Sequence, residues 1–215
     1  MKKIVALGCV LILIGMLTGC IDIIHVVSSN NSIVQTSIRY TLQKSIFEFA
    51  ASMTGEQVDY QDFMVMGSDI FTDIADSQGL MKSFETPFDV GAEFTIAGTQ
   101  AMFNAVEAGQ RSYLPIRDGN RYTSEIPLMG SEDEEFDEYA MLFLSGAKYR
   151  LIVELSGDMI HLNNAAMMMQ MRGEGSFPVT AQDGLLVSRM GSILVVEIPM
   201  LYLLFGEGNM IITLS

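Results

Sequence analysis

Apolar and polar residues alternate along several stretches of this chain, which is the pattern of half-buried β-strands. A β-rich run starts at Ile21, and further along Ile38 and Tyr40 alternate with polar neighbours. Because Ser and Asn fill residues 28–32 between these runs, the pattern predicts a hairpin over residues 21–40. Further strands are predicted at residues 88–96, in a hairpin at 113–128, at 149–155, and near Ile160, Val179, Leu186, Val195 and Ile211. The apolar stretch at 193–205 is too short to cross a bilayer and is predicted to form two strands.

Helical spacing, in which apolar residues recur every three or four positions, occurs between these strands. One apolar face spans residues 42–53 and a second spans 63–74, while Thr99 can cap a short third helix that ends by Gly109. Helices among hairpins predict an α+β fold, an antiparallel β-sheet with two or three helices packed on one face. The first face consists of Leu42, Ile46, Phe49, Ala50 and Met53, and the second of Phe63, Met66, Ile70 and Ile74.

The first twenty residues follow a different pattern. Two lysines precede an apolar stretch at residues 4–17, and the small residue Gly19 is followed by Cys20. This order resembles a bacterial lipoprotein signal, which implies cleavage between Gly19 and Cys20 and lipidation of the Cys20 thiol. We therefore expect a signal peptide at residues 1–19 and a single extracytoplasmic α+β domain at 20–215. The alternatives are an ordinary signal peptide or an uncleaved N-terminal helix.

Lipidation would make the membrane the first partner of this chain. Each buried methylene contributes ~0.8 kcal/mol, so two or three acyl chains (palmitate, for example) anchor a protein stably. No polar tether follows Cys20, so the first hairpin is expected close to the bilayer. Ile21 stands where an aspartate would signal inner-membrane retention, which favours the periplasmic face of an outer membrane. In a bacterium with one membrane, the outer face of the plasma membrane is expected.

Composition narrows the function further. The whole chain has a formal net charge of −14. Without residues 1–19, which hold two lysines and no acids, 10 basic and 26 acidic residues would remain, a net charge of −16. An acidic protein repels the phosphates of nucleic acid, so this net charge argues against nucleic acid as a partner. With Cys9 in the signal and Cys20 acylated, no thiol remains for a disulfide, a metal site or a nucleophile.

Candidate chemistry in the rest of the chain is sparse. The acidic segment at about 130–138 could hold calcium, but it lacks the glycine of an EF-hand loop and is expected to be a solvated loop. Consecutive methionines at 167–169, with Met171, could offer thioethers to Cu(I), but a packing or loop role is expected. His25 and His161 are each expected to be structural or at the surface. No catalytic motif is found, so we predict no catalytic residue, metal site or cofactor.

The order of these elements resembles the LppM-like domain of bacterial lipoproteins. The resemblance lies in Cys20, the hairpin that follows it, the strand at 151–155, and the Asn pair Asn163-Asn164 after Gly157. It implies an α+β fold outside a membrane and an envelope role associated with lipid. Seventeen methionines also suit an adaptable apolar pocket.

We therefore predict a non-enzymatic, membrane-anchored envelope lipoprotein. It would bind an apolar ligand such as a lipid, or a protein partner of the envelope, near the membrane. The alternative is an envelope hydrolase that uses paired carboxylates.

Overall fold

A computed structural model describes most of the chain. The described residues are 21–30, 32–45, 48, 51–52, 80–128, 146–172, 175–204 and 207–215. The predicted signal peptide, its cleavage site at Gly19 and Cys20, the acidic segment 130–138 and the predicted helix at 63–74 lie outside them.

Strands dominate the described residues, and two short helices join them. In chain order these elements are β1 (Ile21–Asn30), β2 (Ile33–Gln43), β3 (Leu80–Glu85), β4 (Asp89–Thr99), α1 (Gln100–Asn104), β5 (Ile116–Asp118), β6 (Arg121–Pro127), β7 (Lys148–Glu154), β8 (Ala165–Met171), β9 (Gly175–Val179), β10 (Leu186–Met190), β11 (Ile193–Pro199), α2 (Leu201–Leu204) and β12 (Gly208–Leu214).

The strands form two sheets. The larger sheet has seven strands in the order β10-β11-β7-β1-β2-β4-β3, and the smaller has five in the order β5-β6-β12-β8-β9. β1 and β2 form the predicted hairpin, with Ile21 opposite Leu42 and Asn30 opposite Ile33. On its other side β1 pairs in parallel with β7, so the larger sheet is mixed rather than purely antiparallel.

One core lies between the two sheets. In β1 the odd positions are buried, in β2 the even ones, and the same alternation recurs in β7, β11 and β12. Buried side chains from both sheets, such as Leu151 and Ile212, belong to one apolar cluster. Hydrogen bonds also join the layers. The Thr36 hydroxyl of β2 donates to the Tyr113 carbonyl, and the Tyr113 amide donates to the Glu125 carbonyl of β6.

The predicted fold class, an α+β sheet with two or three helices packed on one face, is wrong. The protein is mostly β, with two sheets, two short helices whose residues are all described, and helical residues at 44, 45, 48, 51 and 52. The physical reason is that alternation shows which face of a strand is apolar but not what packs on it. Strands from the second half of the chain, β6, β8, β9 and β12, cover the sheet where helices were expected.

Individual elements agree with the predictions more often than the architecture does. β4, β7 and the β5–β6 hairpin lie where alternation predicted them, and Thr99 caps α1 by accepting a hydrogen bond from the Met102 amide. The predicted helix at 42–53 is confirmed in part: residues 44, 45, 48, 51 and 52 are helical, whereas Leu42 lies in β2. The other members of its apolar face, at 46, 49, 50 and 53, lie outside the described residues.

Two further predictions in the second half are wrong. Ile160 follows a single 3-10 turn at Gly157–Met159 instead of lying in a strand, and residues 201–204 are helical. No helix among the described residues has the length and apolar character needed to cross a bilayer.

Candidate functional site

His25 lies at the centre of a polar network inside the core. Its side chain is 0% exposed, in the middle of β1, between the two sheets. Its Nδ1 lies 2.6 Å from the Tyr149 hydroxyl and its Nε2 lies 2.7 Å from the Thr36 hydroxyl. The rings of Tyr113 and Tyr149 meet the imidazole edge-on at 6.0 and 6.2 Å between centroids. Both ring nitrogens of this buried histidine therefore have hydrogen-bond partners.

The hydrogen bonds of this network assign one tautomer to His25. The Thr36 hydroxyl has a single hydrogen and donates it to the Tyr113 carbonyl oxygen, 3.2 Å away. It must then accept from His25, so Nε2 carries the proton. Nδ1 is consequently the acceptor, and the Tyr149 hydroxyl donates to it. The chain of donors runs in one direction from Tyr149 through His25 and Thr36 to Tyr113.

Burial keeps this network uncharged. Loss of solvation lowers the pKa of His25 to about 3, although the backbone interaction with Tyr113 opposes the shift. The same burial raises the pKa of the Tyr113 and Tyr149 hydroxyls above their ordinary value. A neutral, fully bonded imidazole without access to solvent has a structural role, which is one of the two alternatives predicted for His25.

His161 lies elsewhere, on an exposed loop. Its Nε2 donates to the Asn120 carbonyl oxygen at 2.7 Å. The two histidines therefore do not share a site.

A polar cleft opens where β1 and β7 end and β2 begins. We name it the β1–β7 cleft, and its volume is about 560 Å³. The Ser156 hydroxyl donates to the Ser29 carbonyl oxygen at 2.6 Å, which ties the chain after β7 to β1. Gly157 follows in a left-handed conformation (φ +53°), close to Ser29. The lining residues are Ser28, Ser29, Asn30, Gln35, Glu154, Ser156 and Gly157.

The chemistry of the cleft favours binding of a polar group. Hydroxyl and amide groups line it, and Glu154 is its one lining carboxylate. Glu154 makes no ion pair within the described residues, so its charge is available to a cationic or hydrogen-bond-donating group. Ile193 lies directly opposite Glu154 in the ladder, and Met190 lies opposite Ile193. Paired residues point to the same face of a sheet, so exposed aliphatic side chains border the polar cleft.

Two carboxylates of the larger sheet converge on Arg150, away from the cleft. Glu197 accepts a hydrogen bond from the Arg150 Nε at 2.7 Å, and Asp22 lies 3.7 Å from the same guanidinium. Burial raises the pKa of Asp22 against the opposing effect of Arg150 and Lys148. Burial acts in the same direction on Glu197, but hydrogen bonds from Arg150 and Lys148 outweigh it and lower the pKa of Glu197. Both acids are thus members of an ion-pair ladder across β1, β7 and β11.

The methionine run 167–169 lies in β8, where its side chains alternate between faces. Met167 and Met169 are buried opposite Ile212 and Met210 of β12, whereas Met168 points outward. This geometry agrees with the predicted packing role. In the part of the chain that the structure describes, no group of three or more His, Cys, Asp or Glu residues is placed to hold a metal ion.

The predicted lipidation residue Cys20 and the cleavage residue Gly19 fall outside the described residues.

The residues of the β1–β7 cleft were not predicted from the sequence. Residues 28–32 are predicted to form a turn, but 28–30 belong to β1. The parallel pairing of β1 with β7, which brings Glu154 and Ser156 beside them, leaves no local signal in the sequence. Comparison with protein-family models, with curated proteins and with solved structures finds no match to this chain.

Proposed function

We propose that this chain is a lipoprotein of the bacterial cell envelope, anchored by acyl chains on Cys20, that binds a protein partner through the β1–β7 cleft. The observation that carries the proposal is the position of the cleft. β1 begins one residue after Cys20 and reaches the cleft at Ser28–Asn30, so ten residues of strand hold the cleft about 30 Å from the anchor. A rigid strand would present the cleft to the envelope space.

The packed interior favours a protein partner over an apolar ligand. The space between the sheets is filled by one cluster of buried side chains, including the large groups Tyr122, Tyr149 and Phe103. An acyl chain bound there would have to displace them. The mixed surface around the cleft, polar at its centre and aliphatic at its border, has the character of a protein-binding surface instead.

The charge of Glu154 indicates which part of a partner the cleft would accept. A lysine or arginine side chain would pair with Glu154 while donating hydrogen bonds to the surrounding oxygens. Ile193 and Met190 would contact apolar groups beside it. The cellular location that fits this proposal is the periplasmic face of an outer membrane, or the outer face of the plasma membrane in a bacterium with one membrane.

Site-specific crosslinking in cells tests the proposal. A benzophenone amino acid is placed at Gln35, in the cleft, and as a control at Glu107, an exposed position after α1. Metabolic labelling with a fatty acid verifies acylation in the same cells. We expect a discrete crosslinked product from position 35 in the membrane fraction, which Glu154→Gln weakens. Equal products from both positions, or none from position 35, would contradict a partner-binding cleft.

A further inference from the structure

The start of β1 shares one edge of the molecule with several other elements. Ile21, at the start of β1, lies opposite Leu42 near the end of β2. The last residue of β2, Gln43, lies opposite Asp89, the first residue of β4. The Lys44 amide donates to the Phe88 carbonyl oxygen at 2.8 Å. On the other side of β1, Lys148 and Pro199 lie opposite each other in β7 and β11. We call this set the anchor edge: Ile21, Lys44, Phe88, Lys148 and Pro199.

We infer that the anchor edge rests on the lipid bilayer, with the phenyl ring of Phe88 inserted at the level of the headgroups. The inference deepens the proposed function and rests on it, because it requires an acyl anchor at Cys20. Its first support is the length of the connection. Adjacent Cα atoms are about 3.8 Å apart, so a lipid attached to Cys20 leaves Ile21 almost no freedom to move away from the membrane.

The position of Phe88 provides the second support. Its side chain is 77% exposed, at the turn between β3 and β4. β4 is two strands away from β1, about 10 Å at the usual spacing, so Phe88 lies within reach of the same bilayer surface. A phenyl group beside an acyl anchor has a natural environment at the boundary of headgroups and acyl chains.

The turn that carries Phe88 is held in place. The Thr86 hydroxyl accepts hydrogen bonds from the amides of Phe88 and Asp89 at 3.2 and 2.9 Å, and the Thr86 amide donates to the Asp89 carbonyl at 2.8 Å. Together with the Lys44 amide, these bonds fix the backbone at Phe88. The ring is therefore presented outward by a defined turn, not by a loose loop.

The two lysines of the anchor edge are paired with acids, whereas Asp89, beside Phe88, makes no ion pair among the described residues. Lys44 forms an ion pair with Glu85 at 2.5 Å, and Lys148 forms one with Glu197 at 3.2 Å. A chain with a formal net charge of −14 would otherwise be repelled by anionic lipids. At this edge Lys44 offsets the charge of Glu85, and Lys148 offsets that of Glu197.

The absence of tryptophan from the sequence allows a clean test. Phe88→Trp places a single fluorescent reporter on the anchor edge. Ile160→Trp is the matched control, because Ile160 is 65% exposed and follows the turn at Gly157, beside the β1–β7 cleft. Each full-length protein is expressed in bacteria, extracted from membranes and reconstituted into phosphatidylcholine–phosphatidylglycerol vesicles whose acyl chains carry bromine, a fluorescence quencher.

We expect F88W to emit at shorter wavelength and to be strongly quenched, and I160W to show neither effect. Mass spectrometry of the same samples measures acylation at Cys20, and circular dichroism verifies folding. If the protein is acylated and F88W is quenched no more than I160W, the docking inference is wrong while the anchor stands. If Cys20 carries no lipid, both the anchor and the docking inference are wrong.

Discussion

At the scale of single residues, His25 shows how a polar group is accommodated in an apolar core. The imidazole has no exposure to solvent, but each of its nitrogens has a hydroxyl partner. Such a network stabilises the fold only while every member is bonded and uncharged. The sequence predicts that His25 is either structural or at the surface, but it does not predict the partners of His25. Tyr149 lies 124 positions away and is brought close only by the β1–β7 pairing.

The lowered pKa of His25 predicts an acid-sensitive stability. Between pH 6.5 and about 3 the unfolded chain binds a proton at this residue and the folded chain does not. The contribution of neutral His25 is therefore complete above pH 6.5 and is lost progressively as the pH falls, by about 1.4 kcal/mol per pH unit. Urea unfolding should show that wild type loses about 2 kcal/mol more than His25→Gln between pH 7 and pH 5.

His161→Gln is the control for this measurement. His161 is exposed and bonds only the Asn120 carbonyl oxygen, so this variant removes a histidine without touching the buried network. Equal pH dependence in wild type and His25→Gln would contradict the neutral, buried imidazole.

Removal of one hydroxyl from the network should also be costly. Tyr149→Phe leaves His25 Nδ1 as a buried acceptor without a donor, which we expect to reduce the free energy of unfolding by about 1–3 kcal/mol. Tyr122→Phe is the matched change, since the Tyr122 hydroxyl is also enclosed but meets no well-formed hydrogen bond among the described residues, with only the Arg117 guanidinium near it. It should be neutral or slightly stabilising. A similar loss in both variants, measured by urea unfolding, would argue against the network.

At the scale of elements, strand positions were predictable and strand partners were not. Alternation located β4 and β7 because each has one buried and one outward face. The same alternation fits packing against a helix or against a second sheet, and this ambiguity produced the wrong fold class. Short elements were also misjudged. Leu201 and Tyr202 continue an apolar stretch that reads as a strand, but they lie in α2.

Two glycines of β4 provide a prediction about how closely its neighbours pack. A Cβ at Gly91 would collide with the Tyr40 carbonyl oxygen and lie 2.7 Å from Cζ of Phe84, whose ring covers this position. A Cβ at Gly98 would instead meet the end of the Met102 side chain, which is flexible and exposed. We expect Gly91→Ala to cost about 1–3 kcal/mol and Gly98→Ala less than about 1 kcal/mol.

Urea unfolding of the two variants compares these costs. If Gly98→Ala is the more destabilising change, the packing of β2 and β3 around Gly91 is not as described.

At the scale of the whole molecule, the proposed account connects one end of the sandwich to a membrane and the other to a partner. The leader motif at residues 1–20 predicts the anchor from sequence alone. The β1–β7 cleft could not be predicted, because its residues come from turns and strand ends separated by more than 100 positions. Neither location nor partner follows from the β-sandwich itself, which can serve many functions.

An acyl anchor predicts membrane association that does not depend on salt. The chain is acidic, with a formal net charge of −14, so electrostatic attraction to anionic lipids should contribute little. We expect the protein to stay in the membrane pellet after washing at ~1 M NaCl, where the Debye length is about 3 Å, and to be released by detergent. Immunoblotting of the pellet and the supernatant measures the release. Release by salt alone would indicate a peripheral, charge-based attachment.

The central claim, a lipid anchor at Cys20, is tested most directly by the intact mass of the protein extracted from bacterial membranes. The account predicts a chain that begins at Cys20 and carries the added mass of a diacylglyceryl group, and it predicts that Cys20→Ala lacks this addition and leaves the membrane fraction. A membrane-bound protein that retains residues 1–19, or that begins at another residue without lipid, would contradict it.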